Sequence, residues 1–327
     1  MFQSVYENRG KWYRGNLHMH TTRSDGHLSP KEAVERYRRS GYDFVALTDH
    51  RNPSVTVEPG ECRDVNWQDA ESAEKESENV IDAGNMLILS GVEWDTGGAN
   101  TRREGDVPTY HILGIGMTRN SGVSYEGNPH PAPQEIVDVI RADGGIAVLA
   151  HPAWSVMDPS GIEQLKGITA AEIYNSVSDL PFNGQRAESS AWFDIWAAHY
   201  DRRIPAVASD DAHSYEGDEC YSSTMVNAGE LSRDAIVDAL QAGNFYSTQR
   251  PILHEMAIDR ENGIVHLEFS EDVVTVVFYS NHIWVPDRVQ QVKGGTADYH
   301  VQPGEFFLRA ELIARDGRKA WTSPIPV

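Results

Sequence analysis

NLHMHTTRSDG, residues 16–26, is the stretch from which the reading of this chain starts. Leu17 and Met19 alternate with His18 and His20, and side chains of an extended segment repeat every two residues. Both imidazoles therefore face the same way and can grip one ion. TTRSDG then reads as a turn from which Asp25 can reach inward, although SDG alone is ordinary turn chemistry. The next apolar run, GYDFVALTDH at 41–50, ends in the same manner, on Asp49 and His50.

Working outward, the pattern recurs. MLILSGVEW (86–94) carries Glu93, TYHILGIG (109–116) carries His111, GIAVLAH (145–151) ends on His151, AAEIYN (170–175) holds Glu172, and IPAVASD (204–210) runs into Asp211 and His213. With GNLHMH (15–20) and DFVALTDH (43–50) these make seven candidate strands. Helix-like stretches lie between them, such as Ser29 to Ser40, where Ser29 can cap and Pro30 suits the first turn, and Pro133 to Ala142. Short apolar runs alternating with helices predict an α/β protein with mainly parallel strands, and seven of them suggest a closed (β/α) barrel more than an open sheet. Its expected extent is residues 1–250.

Beyond Arg250 the texture changes. GIVHLEFSEDVVTVVFYS (263–280) and FFLRAELIARDGRKAW (306–321) alternate apolar and polar residues, the mark of half-buried strands. Residues 251–327 should form a small, antiparallel, sandwich-like all-β domain.

In a barrel the carboxyl ends of the strands converge on one face, where catalytic residues gather. That geometry would bring residues from 18 to 213 into one cleft. Singly, each has a duller role: His111 as a core histidine, Glu93 as a salt-bridge partner, Asp25 as a turn former. Their joint occurrence at the ends of nearly every strand argues for metal. Mixed nitrogen and oxygen donors suit zinc, manganese or iron better than calcium or magnesium. Glu93 suits a carboxylate bridging two ions. Asp210 and Asp211 are adjacent, and the D-x-H spacing with His213 favours Asp211. Asp49 is expected to orient a ligand imidazole by accepting its second N–H. Glu172 reads equally as a site residue or as a buried structural carboxylate, and is left out of the ligand set. Arg23, Arg51, Arg102, Arg103, Arg186 and Arg250 fall near the expected mouth, though a surface role is the simpler reading for each.

Bulk properties narrow the function. A formal net charge of −21 over 327 residues argues against general nucleic-acid binding, which needs basic surface. The acidic segment from Glu61 to Asp82 reads as a solvated face. Cys62 and Cys220 have no CxxC spacing, so neither a disulfide framework nor a zinc ribbon is expected. No uncharged run approaches the roughly 20 residues of a membrane span, nor does the start resemble a signal peptide, so a cytoplasmic protein is expected. An oligomer is compatible with the sequence.

Together NLHMHTTRSDG, GYDFVALTDH, GVEW, HILGIG, LAHP and SDDAH resemble the polymerase and histidinol phosphatase (PHP) superfamily of metallohydrolases, over about residues 12 to 250. GYDFVALTDH and the closing AWTSPIPV are similar to its CehA/McbA-type branch. The resemblance implies a distorted seven-stranded (β/α) barrel and a cluster of two or three divalent ions. Carried over by position, it implies one ion on His18, His20, Glu93 and Asp211. A second would share Glu93 and add His111 and His151, and a third would use Asp25, His50 and His213. Three divalent ions carry six positive charges against three carboxylates, so the site should attract a small anionic, phosphorylated substrate. The expected reaction is hydrolysis of a phosphate mono- or diester by a metal-bridging hydroxide, since coordination lowers the pKa of water to about 7. Asp49 or His213 would handle the leaving-group proton. A carboxylic or carbamic ester or amide is the alternative substrate, and a purely metal-binding protein the third reading.

Overall fold

The computed structural model describes residues 1–64, 80–98 and 107–327, and Arg102, Arg103 and most of the acidic segment lie outside them. The first half is built on eight short strands: β1 (Lys11–Asn16), β2 (Phe44–Ala46), β3 (Leu87–Leu89), β4 (Gly91–Asp95), β5 (His111–Ile115), β6 (Ile146–Leu149), β7 (Ile168–Asn175) and β8 (Ala206–Ser209). Two more, β9 (Ser223–Ala228) and β10 (Phe245–Thr248), follow. β1, β2 and β3 are parallel neighbours, as are β6, β7 and β8. β3 and β4 are one apolar run interrupted at Ser90, whose hydroxyl donates to Met117 O at 2.7 Å.

The mainly parallel expectation needs one correction, because β5 runs antiparallel to both β4 and β6. β4 and β5 follow one another without a crossover helix among the described residues, so the chain must reverse. Nor does every strand have a helical connection: the described α-helices are α1 (Pro30–Arg39), α2 (Pro133–Ala142), α3 (Ser190–Tyr200) and α4 (Arg233–Gln241). The ladders of these ten strands fall in two sheets and do not close into a barrel among the described residues. Between the sheets stand single bridges, Met19 to Ala212 and His50 to Glu93, both parallel.

α1 shows how sequence sets an element. Ser29 caps it in a capping box with Glu32, Pro30 starts it, and Ala33, Val34 and Tyr37 form its buried face. Tyr37 also reaches through the core to donate its hydroxyl to Asp210 Oδ2 at 2.9 Å. The helix is thereby tied to the end of β8.

The C-terminal region is antiparallel β. Leu253–Asp259, Ile264–Phe269 and Thr296–His300 form one sheet, to which the N-terminal Gln3–Ser4 adds an edge. Val273–Ser280, Phe307–Ala314 and Lys319–Trp321 belong to a ten-stranded sheet that continues through β10, β9 and β1. Apolar side chains such as Val276, Phe278, Leu308 and Leu312, with Tyr6 and Tyr246, fill the space between. The two-domain mixed α/β fold therefore shares one sheet across residue 250. Where the domains meet, Arg309 is fully buried, with Nε and Nη2 on Asp194 of α3 at 2.7 and 2.8 Å and Nη1 on Glu311 at 2.7 Å. Lys319 Nζ closes the network on Glu188 at 2.8 Å and Glu311 at 3.3 Å.

Candidate metal centre

The strand ends do converge. His18 and His20 lie just past β1, with the chain still extended, His50 follows β2, Glu93 stands in β4, His151 follows β6, and Asp211 and His213 follow β8. His111 corrects the picture: it sits at the amino end of β5, not at a carboxyl end. Because β5 is reversed, that end lies beside the end of β4, with His111 registered opposite Asp95. Asp25 comes from the turn after His20, where Gly26 packs so closely that a Cβ would stand 2.4 Å from the His20 carbonyl. Two donors occupy strained backbone, His151 at φ 28° and Asp211 at φ 55°. Such conformations cost about 1–3 kcal/mol each and concentrate at functional sites.

Glu93 is the hub. Its Oε2 lies 3.3, 3.2 and 3.0 Å from His18 Nε2, His20 Nε2 and His50 Nδ1. Its Oε1 lies 2.7 and 3.3 Å from His111 Nδ1 and His151 Nε2. Each oxygen thus faces its own group of imidazoles, which is what a bridging carboxylate requires. Asp211 Oδ1 lies 3.1 and 3.0 Å from the Nε2 atoms of His18 and His20. Asp25 stands between His20, His50 and His213 at 3.5–3.6 Å.

Three sets of donor atoms lie close enough to hold an ion: His18, His20, Glu93 and Asp211; His20, Asp25, His50 and His213; and His50, Glu93 and His111. The grouping differs from the implied one in two places. His50 stands where His151 was expected beside His111, and His20 touches two groups through its two nitrogens. An imidazole that ligates through Nε2 keeps its proton on Nδ1, and His20 Nδ1 faces Ser24 Oγ at 3.3 Å, so His20 serves the inner group.

The donor set fits divalent ions. Asp211 Oδ1 is buried and receives no hydrogen bond of proper geometry, despite the two short imidazole distances. His18 and His20 point Nε2 at each other across 3.2 Å. Buried acceptors do not face one another unless something positive lies between. Burial alone would raise the Glu93 carboxyl, yet His18, His111 and His151 hold it well below the usual range, so it stands as a carboxylate. Burial would lower His20, but Asp211 and Glu93 bring it up to about 9. These clusters are consistent with a multinuclear metal site.

Around the donors, two roles exchange. Asp49 is fully buried but touches no ligand imidazole: it accepts from Thr21 N, Thr21 Oγ1 and Ser24 Oγ at 2.7–3.0 Å. Its carboxylate is used up in holding the 21–25 turn, and only through Ser24 does it reach His20. The orienting role expected of Asp49 falls to Glu172 on β7, whose Oε1 accepts from His18 Nδ1 at 2.9 Å, while Oε2 accepts from His151 N and Asn175 Nδ2. Asp210 turns away from the site, taking donors from Tyr37, Ser176 and Ser222. Arg51 is held by Asp95 at 2.6 and 2.7 Å over the Tyr125 ring, and Arg250 by Asp272 and Asp316.

A cavity of 310 Å³ opens over the donors and is also lined by Trp154, Val177, Phe182 and Asn183. The sequence reading missed these four. Trp154 stood three residues from His151 and could have been noticed, whereas LPFNG (180–184) carries no chemical signal and joins the site only through the fold.

Fold and donors together define the class: a mixed α/β two-domain protein with buried His/Asp/Glu clusters that could hold more than one metal ion. Residues 16–137 match the family model of the PHP domain. It is 25% identical over 187 residues to a 5'-3' exoribonuclease of Haemophilus influenzae, covering 42% of this chain and 68% of that protein. It is 33% identical over 86 residues to the DNA polymerase/3'-5' exonuclease PolX of Bacillus subtilis, covering 25% of this chain and 14% of that one. In three dimensions it resembles a two-domain protein from Bacteroides vulgatus containing a predicted PHP-like metal-dependent phosphoesterase. That match has a TM-score of 0.50 at 17% identity and covers 98% of both chains, a likeness of fold. No helix among the described residues is long and apolar enough to cross a membrane.

Proposed function

We propose that this chain is a metal-dependent phosphoesterase acting on a small phosphate ester. The observation that carries the reading is Glu93, with one carboxylate oxygen toward His18, His20 and His50 and the other toward His111 and His151. Two or three divalent ions held there, of manganese, zinc or iron, would supply Lewis acidity toward phosphoryl oxygens and water of pKa about 7. The remaining work belongs to the chain. Glu172 fixes the His18 ring, so that Nε2 presents its lone pair. Asp49, through Ser24, steadies His20 and the turn that carries Asp25. His213 Nδ1 donates to Asp211 O at 2.7 Å, which leaves its Nε2 facing Asp25 and the cavity. Of the two groups considered for the leaving-group proton, His213 is the one that lines the cavity, and it would serve when two ions are bound and its Nε2 holds no third.

Small esters are favoured over nucleic acid. The named relatives are nucleases, but in a chain of charge −21 the pocket is lined by neither arginine nor lysine among the described residues, which favours a small ester over a polyanion. The CehA/McbA-type branch, closure of the seven strands through the Met19 and His50 bridges, and a division into 1–250 and 251–327 go with the same reading. So does a cytoplasmic setting.

The test pairs metal analysis of gently purified protein with turnover of 4-nitrophenyl phosphate and bis(4-nitrophenyl) phosphate. Two or three ions per chain, with turnover abolished in His20→Ala, is the expected result. Bound metal with turnover of nitrophenyl acetate alone would move the reaction to acyl esters, and absence of metal under every loading condition would end the proposal.

A further inference from the structure

One wall of the metal pocket is neutral, and it includes an aromatic ring standing in water. Phe182, on the single turn Pro181–Asn183, is 76% exposed yet lines the cavity. A lone exposed phenylalanine would mean little. This one belongs to a built wall. Trp154 Nε1 donates to Asn183 Oδ1 at 2.7 Å, and Asn183 Nδ2 donates to Val177 O at 3.4 Å, so the turn and the indole are tied together. The indole also meets the rings of His151 and His111 edge-on, with centroids 4.9 and 6.0 Å apart. The aromatic wall therefore abuts the donors directly.

Its chemistry is selective. Trp154, Val177 and Phe182 offer apolar surface, and Asn183 spends its carbonyl on the indole. Among the described residues lining the pocket there is no arginine or lysine, so this wall itself offers its ligand an uncharged surface. At 310 Å³ the cavity lies at the small end of ligand sites, room for a phosphoryl group and about one ring.

Resting on the phosphoester reading above, we propose that the preferred substrates are esters carrying one uncharged, flat, unsaturated ring that packs against Trp154 and Phe182. The ring, once bound, removes the exposed phenyl face from water and gains an aromatic partner of fixed orientation.

Calorimetric binding of phenylphosphonate and methylphosphonate to the metal-loaded full chain separates the ring from the reacting group, since neither is hydrolysed. Wild type should prefer phenylphosphonate by about threefold to tenfold, the range of an aromatic contact. Phe182→Ala, at an exposed position that folding does not depend on, should remove most of that preference. The same variant should raise KM for phenyl phosphate more than it lowers kcat. Trp154→Phe keeps a ring but breaks the bond to Asn183, and should give an intermediate loss. Equal affinity for the two phosphonates in wild type, or equal weakening of both by Phe182→Ala, would overturn the proposal. If neither phosphonate binds and no phosphate ester turns over, the phosphoester reading fails by itself, and phenyl and ethyl acetate take over the comparison. A Phe182→Ala effect confined to the phenyl ester then upholds the aromatic wall, and an equal effect on both overturns it.

Discussion

Two clusters of buried charge stand in this molecule, and they are built on opposite terms. At the domain junction Arg309 and Lys319 face Asp194, Glu311 and Glu188 in short, directed contacts, so nearly every donor has an acceptor. At the strand ends, three carboxylates and five imidazoles crowd together, with His151 against Glu93 as a sixth and Asp211 Oδ1 left unbonded. The first cluster is complete within the chain. The second is a set of acceptors whose natural complement is a cation from outside. A buried ionic group is thus informative about function only after its internal partners have been counted.

The sharpest way to break the contrast is to alter the hub. Glu93→Gln keeps the shape but removes the charge shared by both imidazole groups, and should cut turnover by more than about a hundredfold, beyond the loss typical of groups that merely orient ligands. Metal analysis of the same preparation should show fewer ions per chain. An unchanged metal content would mean that Glu93 is not the bridge. Chelation of the wild type should act alongside it, lowering Tm, because ions that bind only the folded state stabilise it by about 2.7 kcal/mol at a hundred times their Kd.

Arg309→Met should do the reverse. It strands Glu311 and Asp194 without their common partner, a loss of about 3 kcal/mol at the low end for broken buried pairs, because Asp194 is partly exposed and Lys319 still faces Glu311. Urea denaturation reads the loss, while metal content per folded chain should stay at the wild-type value. If metal is lost as well, the two clusters are coupled and the distinction drawn here is wrong.

Much of the donor set was legible because metal chemistry restricts residue type, and the strand period restricts direction. His18 and His20 declare themselves by spacing, and the D-x-H spacing favoured Asp211, while in the fold Asp210 turns toward Tyr37 and Ser222. What could not be read was strand polarity. Nothing in TYHILGIG says that β5 is reversed, since alternation and apolarity are the same in both directions. Partner choice was equally hidden: Asp49 and Glu172 are both buried carboxylates next to ligands, and only the three-dimensional path of the 21–25 turn decides which of them meets an imidazole. The joining of Trp154 to Asn183 depends on the fold alone. The sheet that crosses residue 250 was missed for a related reason, because its register pairs β10 with Lys319–Trp321, segments far apart in sequence.

The exchange of roles between those two carboxylates supplies finer tests. Glu172→Gln turns an amide N–H toward one of three donors, His18 Nδ1, His151 N or Asn175 Nδ2, and should weaken metal affinity or activity by about 10–100-fold. Competition against a chromophoric chelator measures it, and an effect below twofold would remove Glu172 from the site. Asp210→Asn is the smallest case. It lies one residue from a ligand, but its oxygens serve Tyr37, Ser176 and Ser222, so the variant should lose on the order of 1 kcal/mol of stability through a mispaired donor and keep its metal. Should Asp210→Asn instead release metal while Asp211→Asn retains it, the adjacent pair has been assigned the wrong way round, and the inner group would have to be rebuilt on the other carboxylate.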